Sequence, residues 1–271
     1  MKPAPFAYHR PGTRAEVDEL LAEHGEEAKL LAGGQSLMPI LNMRLAAPAH
    51  IVDINRLEDE PAEPVLKDGA VAFGPLVRQA AAERSSLVRE RLPVLRQALA
   101  HVAHPAIRSR GTVVGSIAHA DPAAELPAAM VALGGEARVR SAAGRRTITA
   151  GDLFVGELET ALEPGEWIEE VRLPVQDGRG SAVEEFARRR GDYALCGVVA
   201  VAEPEIALTY IGMGPAPMRI EVPAEEAIGA LVRERLEPED DLHADARYRL
   251  WLAERLGVRA ARRAVDALAE R

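Results

Sequence analysis

Two short glycine-containing segments have residue types and spacing suited to binding a phosphorylated ligand. The first, Gly33-Gly34-Gln35-Ser36, follows a predicted buried strand at residues 29–32 and precedes a helix-prone segment. Glycine permits positive φ and close approach, so successive backbone N–H groups can point at a diphosphate, and the serine hydroxyl adds a donor. An ordinary turn between a strand and a helix has the same composition, so this segment alone leaves both interpretations open.

The second segment has similar chemistry and lies at residues 111–116. It reads Gly-Thr-Val-Val-Gly-Ser, follows Arg108 and Arg110, and precedes a segment that contains Ala118 and Asp121. Taken alone, it also fits a tight turn. Two such segments in one chain favour the interpretation that both face one phosphorylated cofactor.

Other chemical signatures fail on inspection. The residues after Gly34 lack the second glycine of a hydrolase nucleophile elbow, because position 38 is methionine. The Gly-Met-Gly sequence at 212–214 lacks the third glycine of a Rossmann fingerprint, and the sequence has no P-loop. His101 and His104 lack a third ligand at a fixed spacing, so helix-cap or surface histidines are favoured and no metal site is predicted.

The overall charge and composition exclude further classes of function. The chain has 33 basic and 42 acidic residues, a net charge of −9 and a pI near 5.4. Phosphate contacts to nucleic acid need clustered lysine and arginine, so no nucleic-acid partner is expected. With 48% hydrophobic residues among 271, the chain is long and apolar enough for a substantial core.

The number of cysteines and the length of the longest apolar run indicate where in the cell the protein is expected. Cys196 is the single cysteine, which excludes an intrachain disulfide and also an iron–sulfur cluster or thiolate zinc site built from this chain alone. The longest apolar run, residues 194–202, is too short to span a bilayer, and the first twelve residues lack the apolar region of a secretory signal. The expectation is a cytoplasmic protein without a membrane span.

The first glycine segment lies within a pattern of alternating strands and helices. Residues 5–56 predict the order strand, helix, strand, glycine segment, helix, strand, and Thr13 with Glu16 predicts a capping box at the first helix. Residues 58–69 are acidic and hold two prolines, which predicts a linker or a hairpin.

The rest of the chain predicts two further groups of elements. The middle group comprises a strand at 71–74, helices at 76–83 and 88–102, the second glycine segment as a loop, a helix from Pro122 to about 133, a hairpin at 137–149 and a strand at 167–173. After a boundary at 176–181 come two or three strands at 183–188, 197–201 and 206–211, and helices at 224–233 and 247–268. Strands and helices mix without strict alternation, so the predicted fold class is α+β.

Several motifs along the chain resemble one family in the same order. They are residues 32–39 (AGGQSLMP), 52–54 (VDI), 110–122 (RGTVVGSIAHADP), 151–168 (GDLFVGELETALEPGEWI), 191–194 (GDYA) and 211–219 (IGMGPAPMR). Together they resemble the FAD-binding medium subunit of molybdenum hydroxylases. That family includes the flavoprotein subunits of aerobic carbon monoxide dehydrogenase and the flavin domain of xanthine dehydrogenase. The resemblance covers nearly the whole chain.

The resemblance implies a fold with three parts. Residues 1–57 and 58–175 would be the two subdomains of an FAD-binding domain of the vanillyl-alcohol-oxidase (PCMH) type. Residues 176–271 would be a carboxy-terminal α+β domain of the carbon monoxide dehydrogenase flavoprotein type.

The resemblance also assigns candidate residues for binding FAD without a covalent bond. Both glycine segments would hold the diphosphate, Glu125 the ribityl or ribose hydroxyls, Ile168 an apolar contact near the adenine or flavin, and Tyr193 an aromatic contact near the isoalloxazine. The full set is Ala32, Gly33, Gly34, Gln35, Ser36, Leu37, Thr112, Val114, Gly115, Ser116, Ala118, Asp121, Glu125, Ile168, Arg188 and Tyr193.

Three of these positions depart from the pattern of the family. Val114 stands where members commonly have glycine, and a β-branched residue disfavours positive φ, so we expect either a β-like backbone there or a diphosphate held less closely. Glu125 replaces the more common aspartate. Arg188 is the nearest candidate for a basic residue that some members place in the third domain.

By resemblance, the chain is expected to be an electron-transfer subunit. A large partner would carry the molybdenum cofactor and a small partner two [2Fe–2S] clusters, in a heterotrimer or its dimer. The FAD would pass electrons to NAD, a quinone or oxygen. Because the flavin carries the redox chemistry, no catalytic residue is predicted.

Two alternatives stay open at this point. A stand-alone flavin oxidase of the vanillyl-alcohol-oxidase fold would commonly tether its flavin through histidine or cysteine, whereas Gln35 and Ser36 occupy the loop positions here. A flavin-free scaffold subunit is the other alternative, and Val114 is the residue that supports it best.

Overall fold

The computed structural model describes residues 2–58, 60–203 and 205–270. The outer limits of the predicted domains, residues 1 and 271, and residue 59 of the predicted linker lie outside the described residues. Within the described ranges, none of the helices is both long and apolar enough to cross a bilayer.

The amino-terminal sheet follows the predicted order of elements. Its elements are β1 (Ala7–His9), α1 (Arg14–His24), β2 (Ala28–Leu31), α2 (Leu37–Asn42) and β3 (His50–Asp53). The strands are parallel in the order β1-β3-β2. The carboxyl end of β2 leads directly into the first glycine segment.

The predicted capping box fixes the start of α1. The Thr13 hydroxyl accepts a hydrogen bond from the Glu16 backbone N–H at 3.2 Å, and the Glu16 carboxylate accepts one from the Thr13 N–H at 3.4 Å. Val17 and Leu21 then pack in a small core that also contains Trp167 from a later strand. The amino-terminal sheet therefore shares its core with the middle of the chain.

The middle sheet is antiparallel and is accompanied by seven short helices among the described residues. The elements are β4 (Val65–Lys67), β5 (Ala70–Phe73), α3 (Gln79–Arg84), α4 (Ser86–Arg91), α5 (Pro93–His101), α6 (Pro105–Arg108), α7 (Val113–His119), α8 (Glu125–Leu133), β6 (Glu136–Ser141), β7 (Gly144–Thr149), α9 (Ala150–Leu153), β8 (Phe154–Gly156), β9 (Glu159–Thr160) and β10 (Trp167–Pro174). The main sheet has the order β4-β5-β10-β6-β7. The predicted linker thus contributes a strand to a hairpin, which turns at Asp68 and Gly69 with positive φ.

Three expectations for this region are wrong. The helix predicted over 88–102 is broken before Pro93, which has no N–H to continue it. The second glycine segment is not a loop, because α7 begins inside it. The helix α8 begins at Glu125 and not at Pro122, since the Asp121 carboxylate accepts the Ala123 N–H at 2.9 Å and holds a turn there.

A buried ion pair joins the amino-terminal and middle sheets. Asp18 on α1 accepts hydrogen bonds from the Arg140 guanidinium and, at 2.9 Å, from the Trp167 indole N–H. Asp18 is only 6% exposed. A buried charge needs such partners, so this contact fixes the two sheets relative to each other.

The carboxy-terminal sheet is antiparallel and has helices on both faces. Its elements are β11 (Gly180–Phe186), β12 (Cys196–Glu203), β13 (Glu205–Ile211), β14 (Met218–Val222), α10 (Ile228–Arg235) and α11 (Ala246–Ala269), and the strands lie in that order. Residues Val198 and Ala200 pack in the core with α11, whereas Val199 and Val201 pack in the core with α8. This two-sided burial explains the continuous apolar run over residues 194–202.

One glycine sets the distance between β11 and α11. A Cβ at Gly180 would lie 1.9 Å from the Ala264 carbonyl oxygen, so only glycine permits this approach. The described elements together confirm the predicted α+β class.

Candidate functional site

A cavity of about 480 Å³ lies where the amino-terminal and middle sheets meet the chain before β12. Of the sixteen candidate residues from the sequence, fifteen line this cavity: Ala32, Gly33, Gly34, Gln35, Ser36, Leu37, Thr112, Val114, Gly115, Ser116, Ala118, Asp121, Glu125, Ile168 and Tyr193. Arg188 does not line the cavity. Its guanidinium contacts His243 Nδ1 at 3.1 Å on the exposed surface. The fold therefore brings together two segments that are far apart in sequence.

The first glycine segment packs with its backbone directly against the second. A Cβ at Gly33 would lie 2.5 Å from the Arg110 carbonyl oxygen and 2.7 Å from the Gly111 Cα. Gly34 has a φ of 72°, a conformation that glycine adopts without strain. A positive φ at this point turns successive N–H groups towards one side, as in an anion-binding nest.

The second glycine segment is the first turn of α7. Thr112 is the N-cap, and its hydroxyl accepts a hydrogen bond from the Gly115 N–H at 2.9 Å. Val114 is buried and helical, so of the two alternatives given for it the β-like backbone is wrong. A valine in a helix needs no positive φ, and its side chain forms part of the cavity wall.

Arg78 connects the two glycine segments through hydrogen bonds. Its guanidinium donates to the Arg110 carbonyl oxygen at 2.5 Å and to the Asn55 side-chain oxygen at 2.6 Å. Asn55 in turn donates to the Ala32 carbonyl oxygen at 2.7 Å. One side chain thus fixes the spacing between the segment at 32–36 and the segment at 110–116.

Gln79 is a further cavity residue that the sequence analysis missed. It is 5% exposed, and its side-chain oxygen is buried without a hydrogen-bond partner among the described residues. Burying an unpaired acceptor costs about 1–3 kcal/mol, so a donor from a bound molecule would relieve that cost. The oxygen lies beside Gly111, where a Cβ would approach it to 2.7 Å. No motif in the sequence marks either Arg78 or Gln79.

Glu125 lies at the start of α8 and is 7% exposed. Burial, followed by the charges of Glu185 and Asp121, raises the pKa of Glu125 to about 8. The carboxyl group is therefore protonated at neutral pH and can both donate and accept a hydrogen bond. Such a group suits the hydroxyls of a sugar or ribityl chain.

The raised pKa of Glu125 predicts a pH-dependent stability. Between about pH 4.5 and pH 8 the folded chain keeps a proton that the unfolded chain has lost, so the free energy of unfolding falls as pH rises through this window. The free energy of unfolding falls by at most about 1.4 kcal/mol per pH unit. Glu125→Gln cannot lose a proton, so the unfolding free energy of this variant is expected to fall less steeply in urea titrations of the flavin-free chain.

Glu90→Gln is the matched control, because the Glu90 side chain is 63% exposed. Its pH profile should parallel that of the unmodified chain. Burial also raises the pKa of Glu185, to about 7. The pH dependence of the unfolding free energy that comes from Glu185 should remain in both variants. Parallel profiles for Glu125→Gln and the unmodified chain would show that Glu125 does not hold the proton.

The apolar and aromatic candidates lie on the cavity walls. Ile168 is buried on β10 and Tyr193 is 61% exposed at the cavity edge. Desolvation of the Tyr193 hydroxyl, followed by the charge of Asp121 and a hydrogen bond with it, raises the pKa of Tyr193 to about 12. The tyrosine is therefore neutral and presents an aromatic ring to the cavity.

The donor and acceptor set fits a phosphorylated cofactor that also carries hydroxyls and an aromatic ring system. The Gly33–Gly111 contact brings the two glycine segments to one cavity, and the Ser36 and Ser116 hydroxyls line that cavity. The unpaired oxygen of Gln79 and the neutral carboxyl of Glu125 supply acceptor and donor groups. Binding and orientation of such a molecule are what this arrangement can do.

Comparison with known proteins agrees with this geometry. The family model described as "FAD binding domain in molybdopterin dehydrogenase" matches residues 4–176. A relative named 6-hydroxypseudooxynicotine dehydrogenase complex subunit alpha, from Paenarthrobacter nicotinovorans, is 43% identical over 202 residues, which are 74% of this chain and 68% of that protein. The carbon monoxide dehydrogenase medium chain of Hydrogenophaga pseudoflava is 35% identical and covers 96% of this chain and 97% of the relative.

A solved structure supports the same conclusion for the fold. A chain of carbon monoxide dehydrogenase from Hydrogenophaga pseudoflava superposes with a TM-score of 0.92 at 32% identity, covering 98% of this chain and 99% of that chain. The similarity extends over all three sheets, and the fold expected from the resemblance is confirmed.

Proposed function

The chain belongs to the family of FAD-binding domains in molybdopterin dehydrogenases, and we propose that its two glycine segments hold the FAD diphosphate between them. Within that family it is the FAD-binding electron-transfer subunit of a molybdenum hydroxylase. The observation that carries the diphosphate assignment is the direct backbone contact of Gly33 with Arg110 and Gly111. It brings both segments to one cavity.

Each part of the cavity has a role in this proposal. Backbone N–H groups at 33–37 and the hydroxyls of Ser36 and Ser116 bind the diphosphate. Glu125 and Gln79 bind hydroxyl groups of the ribityl chain or ribose. Ile168 and Tyr193 contact the ring systems. Bound FAD supplies the redox chemistry, namely acceptance of electrons from partner iron–sulfur clusters and their delivery to an external acceptor.

The proposal includes a division of the chain by function. Residues 1–57 and 58–175 form the two FAD-binding subdomains, and residues 176–271 form the carboxy-terminal domain. The glycine segments lie one in each subdomain, which supports this division. The ion pair of Asp18 with Arg140 then holds the subdomains at the spacing that the cofactor needs.

We further propose the composition of the complex. The relatives are medium or alpha subunits of multi-subunit dehydrogenases, so this chain also functions with partner subunits. We assign it one large partner with a molybdenum cofactor and one small partner with two [2Fe–2S] clusters, as a heterotrimer or its dimer. The proposal includes a cytoplasmic location, in keeping with the single cysteine.

The two alternatives considered above are not favoured. A stand-alone oxidase does not agree with full-length similarity to subunits of complexes. A flavin-free scaffold rested on Val114, whose helical backbone leaves the cavity open to a cofactor.

The experiment that tests the proposal is purification of the native complex through a tag on this chain. We expect two further chains, molybdenum, one FAD per copy of this chain and roughly four iron atoms, as two [2Fe–2S] clusters require. When the clusters are reduced under anaerobic conditions, the flavin absorbance should bleach.

The matched control is the same complex carrying Gly33→Ala. It should keep its iron and molybdenum, lose FAD, and fail to pass electrons to an external acceptor. A complex of unmodified chains without FAD, or one whose flavin stays oxidised beside reduced clusters, would refute the proposal.

A further inference from the structure

Three histidines lie close together on the amino-terminal sheet. His9 ends β1, His24 ends α1 and His50 begins β3. One ring nitrogen from each lies within 4.8 Å of the other two, and His9 Nε2 lies 2.9 Å from His50 Nδ1. All three side chains are half-buried.

The fold explains why these residues meet. In the parallel pairing of β1 with β3, Ala7 is opposite His50 and His9 is opposite Val52, so both histidines lie on the same face of the sheet. Val52 packs beneath Val17 and Leu21 of α1, so this face is the one that α1 covers. His24 continues the Val17–Leu21 stripe by helical spacing and reaches the same face.

We propose that His9, His24 and His50 form a binding site for a divalent transition metal ion of the Zn²⁺ class, with water as the fourth ligand. Neutral imidazole nitrogen is a preferred ligand of such ions. Tetrahedral coordination at about 2.0–2.1 Å places ligand nitrogens roughly 3.3 Å apart. The nitrogens here are close enough to reach that spacing by small side-chain rotations.

The three imidazole rings lie close to one another. The His24 and His50 rings stack with centroids 3.6 Å apart, and the His9 ring lies 5.2 Å from each. The χ2 torsion of histidine is broad, so each ring can turn its nitrogen towards a common centre without a backbone change.

The local charge also favours a cation. His24 is the last residue of α1, where the helix dipole is negative. Glu23, Glu26 and Glu27 lie beside it in the chain. A dication bound here would be attracted both by the helix terminus and by these carboxylates.

The site is separate from the FAD cavity. None of the three histidines is among the residues that line that cavity. His50 pairs with Ala28 at the amino ends of β3 and β2, whereas the first glycine segment follows the carboxyl end of β2. The metal would therefore hold α1 on the sheet and would take no part in electron transfer.

The test is a titration of the untagged, EDTA-treated full chain with ZnCl₂, followed by calorimetry. We expect one equivalent to bind and the melting temperature to rise. His24→Gln and His50→Gln should each weaken binding at least roughly 10-fold, because even a residue behind a ligand costs about 10- to 100-fold. Co²⁺ should give the visible absorption of a tetrahedral site in the unmodified chain and not in these variants.

His243→Gln is the matched control, because His243 is exposed and distant in sequence from the cluster. It should bind Zn²⁺ as the unmodified chain does. If His24→Gln fails to fold in EDTA, His9→Gln at the strand end decides the matter. Stoichiometric binding that survives in the folded variants, or no stoichiometric binding to the unmodified chain, overturns the proposal. Neither result changes FAD retention, which is measured separately.

Discussion

Gly33→Ala is expected to abolish stable FAD binding. The new Cβ would lie 2.5 Å from the Arg110 carbonyl oxygen and 2.7 Å from the Gly111 Cα, so the two glycine segments must move apart. Overpacking costs about 1–3 kcal/mol, and backbone atoms on the far side cannot rotate away. We expect the FAD dissociation constant to rise roughly 100-fold in a fluorescence titration, near the upper end of that range.

Gly151→Ala is the control for this substitution. Gly151 is an exposed position of helix α9, and a Cβ there would meet only the Thr149 hydroxyl oxygen, at 3.9 Å. Alanine also has the higher helix propensity, so stability and FAD affinity should be unchanged or slightly improved. Unchanged FAD affinity in folded Gly33→Ala would place the diphosphate elsewhere.

Arg78→Met is expected to weaken FAD binding at least roughly 10-fold while leaving the chain folded. The variant loses two hydrogen bonds from a charged donor, to Arg110 and to Asn55, each worth about 1.5–3 kcal/mol. Part of that loss appears as lower stability and part as a wider distribution of spacings between the glycine segments. Both a melting curve and an FAD titration are therefore needed.

Arg78→Lys and Arg89→Met distinguish the effect of the Arg78 bridge from the effect of losing a positive charge. Lysine keeps the charge but lacks the planar fork that reaches both acceptors, so FAD affinity should be intermediate. The Arg89 side chain is 56% exposed and its guanidinium pairs with Glu90 at 3.5 Å, so Arg89→Met should behave as the unmodified chain. Full FAD affinity in Arg78→Met would show that the segments are positioned without this bridge.

Local signals in the sequence were sufficient for much of the fold. The Thr13–Glu16 capping box, the helix that it begins and the hairpin predicted at 137–149 each depend on neighbours within a few residues, and each is present in the structure. The strand predicted at 197–201 likewise lies within β12. The resemblance then selected the candidate residues, of which only Arg188 lies away from the cavity.

One expectation that failed, the loop at residues 111–116, depends on contacts between distant parts of the chain. Val113-Val114-Gly115-Ser116 has poor helix propensity, yet α7 forms because Thr112 caps it and Ile117 is buried in the core. Tertiary packing overrides propensity at such positions.

The residues missed in the sequence have the same explanation. Arg78 and Gln79 gain their roles only when residues 77–79 pair with 111–113. The cluster of His9, His24 and His50 likewise comes from three different elements, and no spacing in the sequence marks it.

The most direct test of the account is an experimental structure of the complex with FAD bound. We expect the diphosphate to lie between residues 33–36 and residues 112–116, with Gln79 and Glu125 within hydrogen-bonding distance of cofactor hydroxyls. A diphosphate held by other residues, or a flavin outside the cavity bounded by Ile168 and Tyr193, would contradict it.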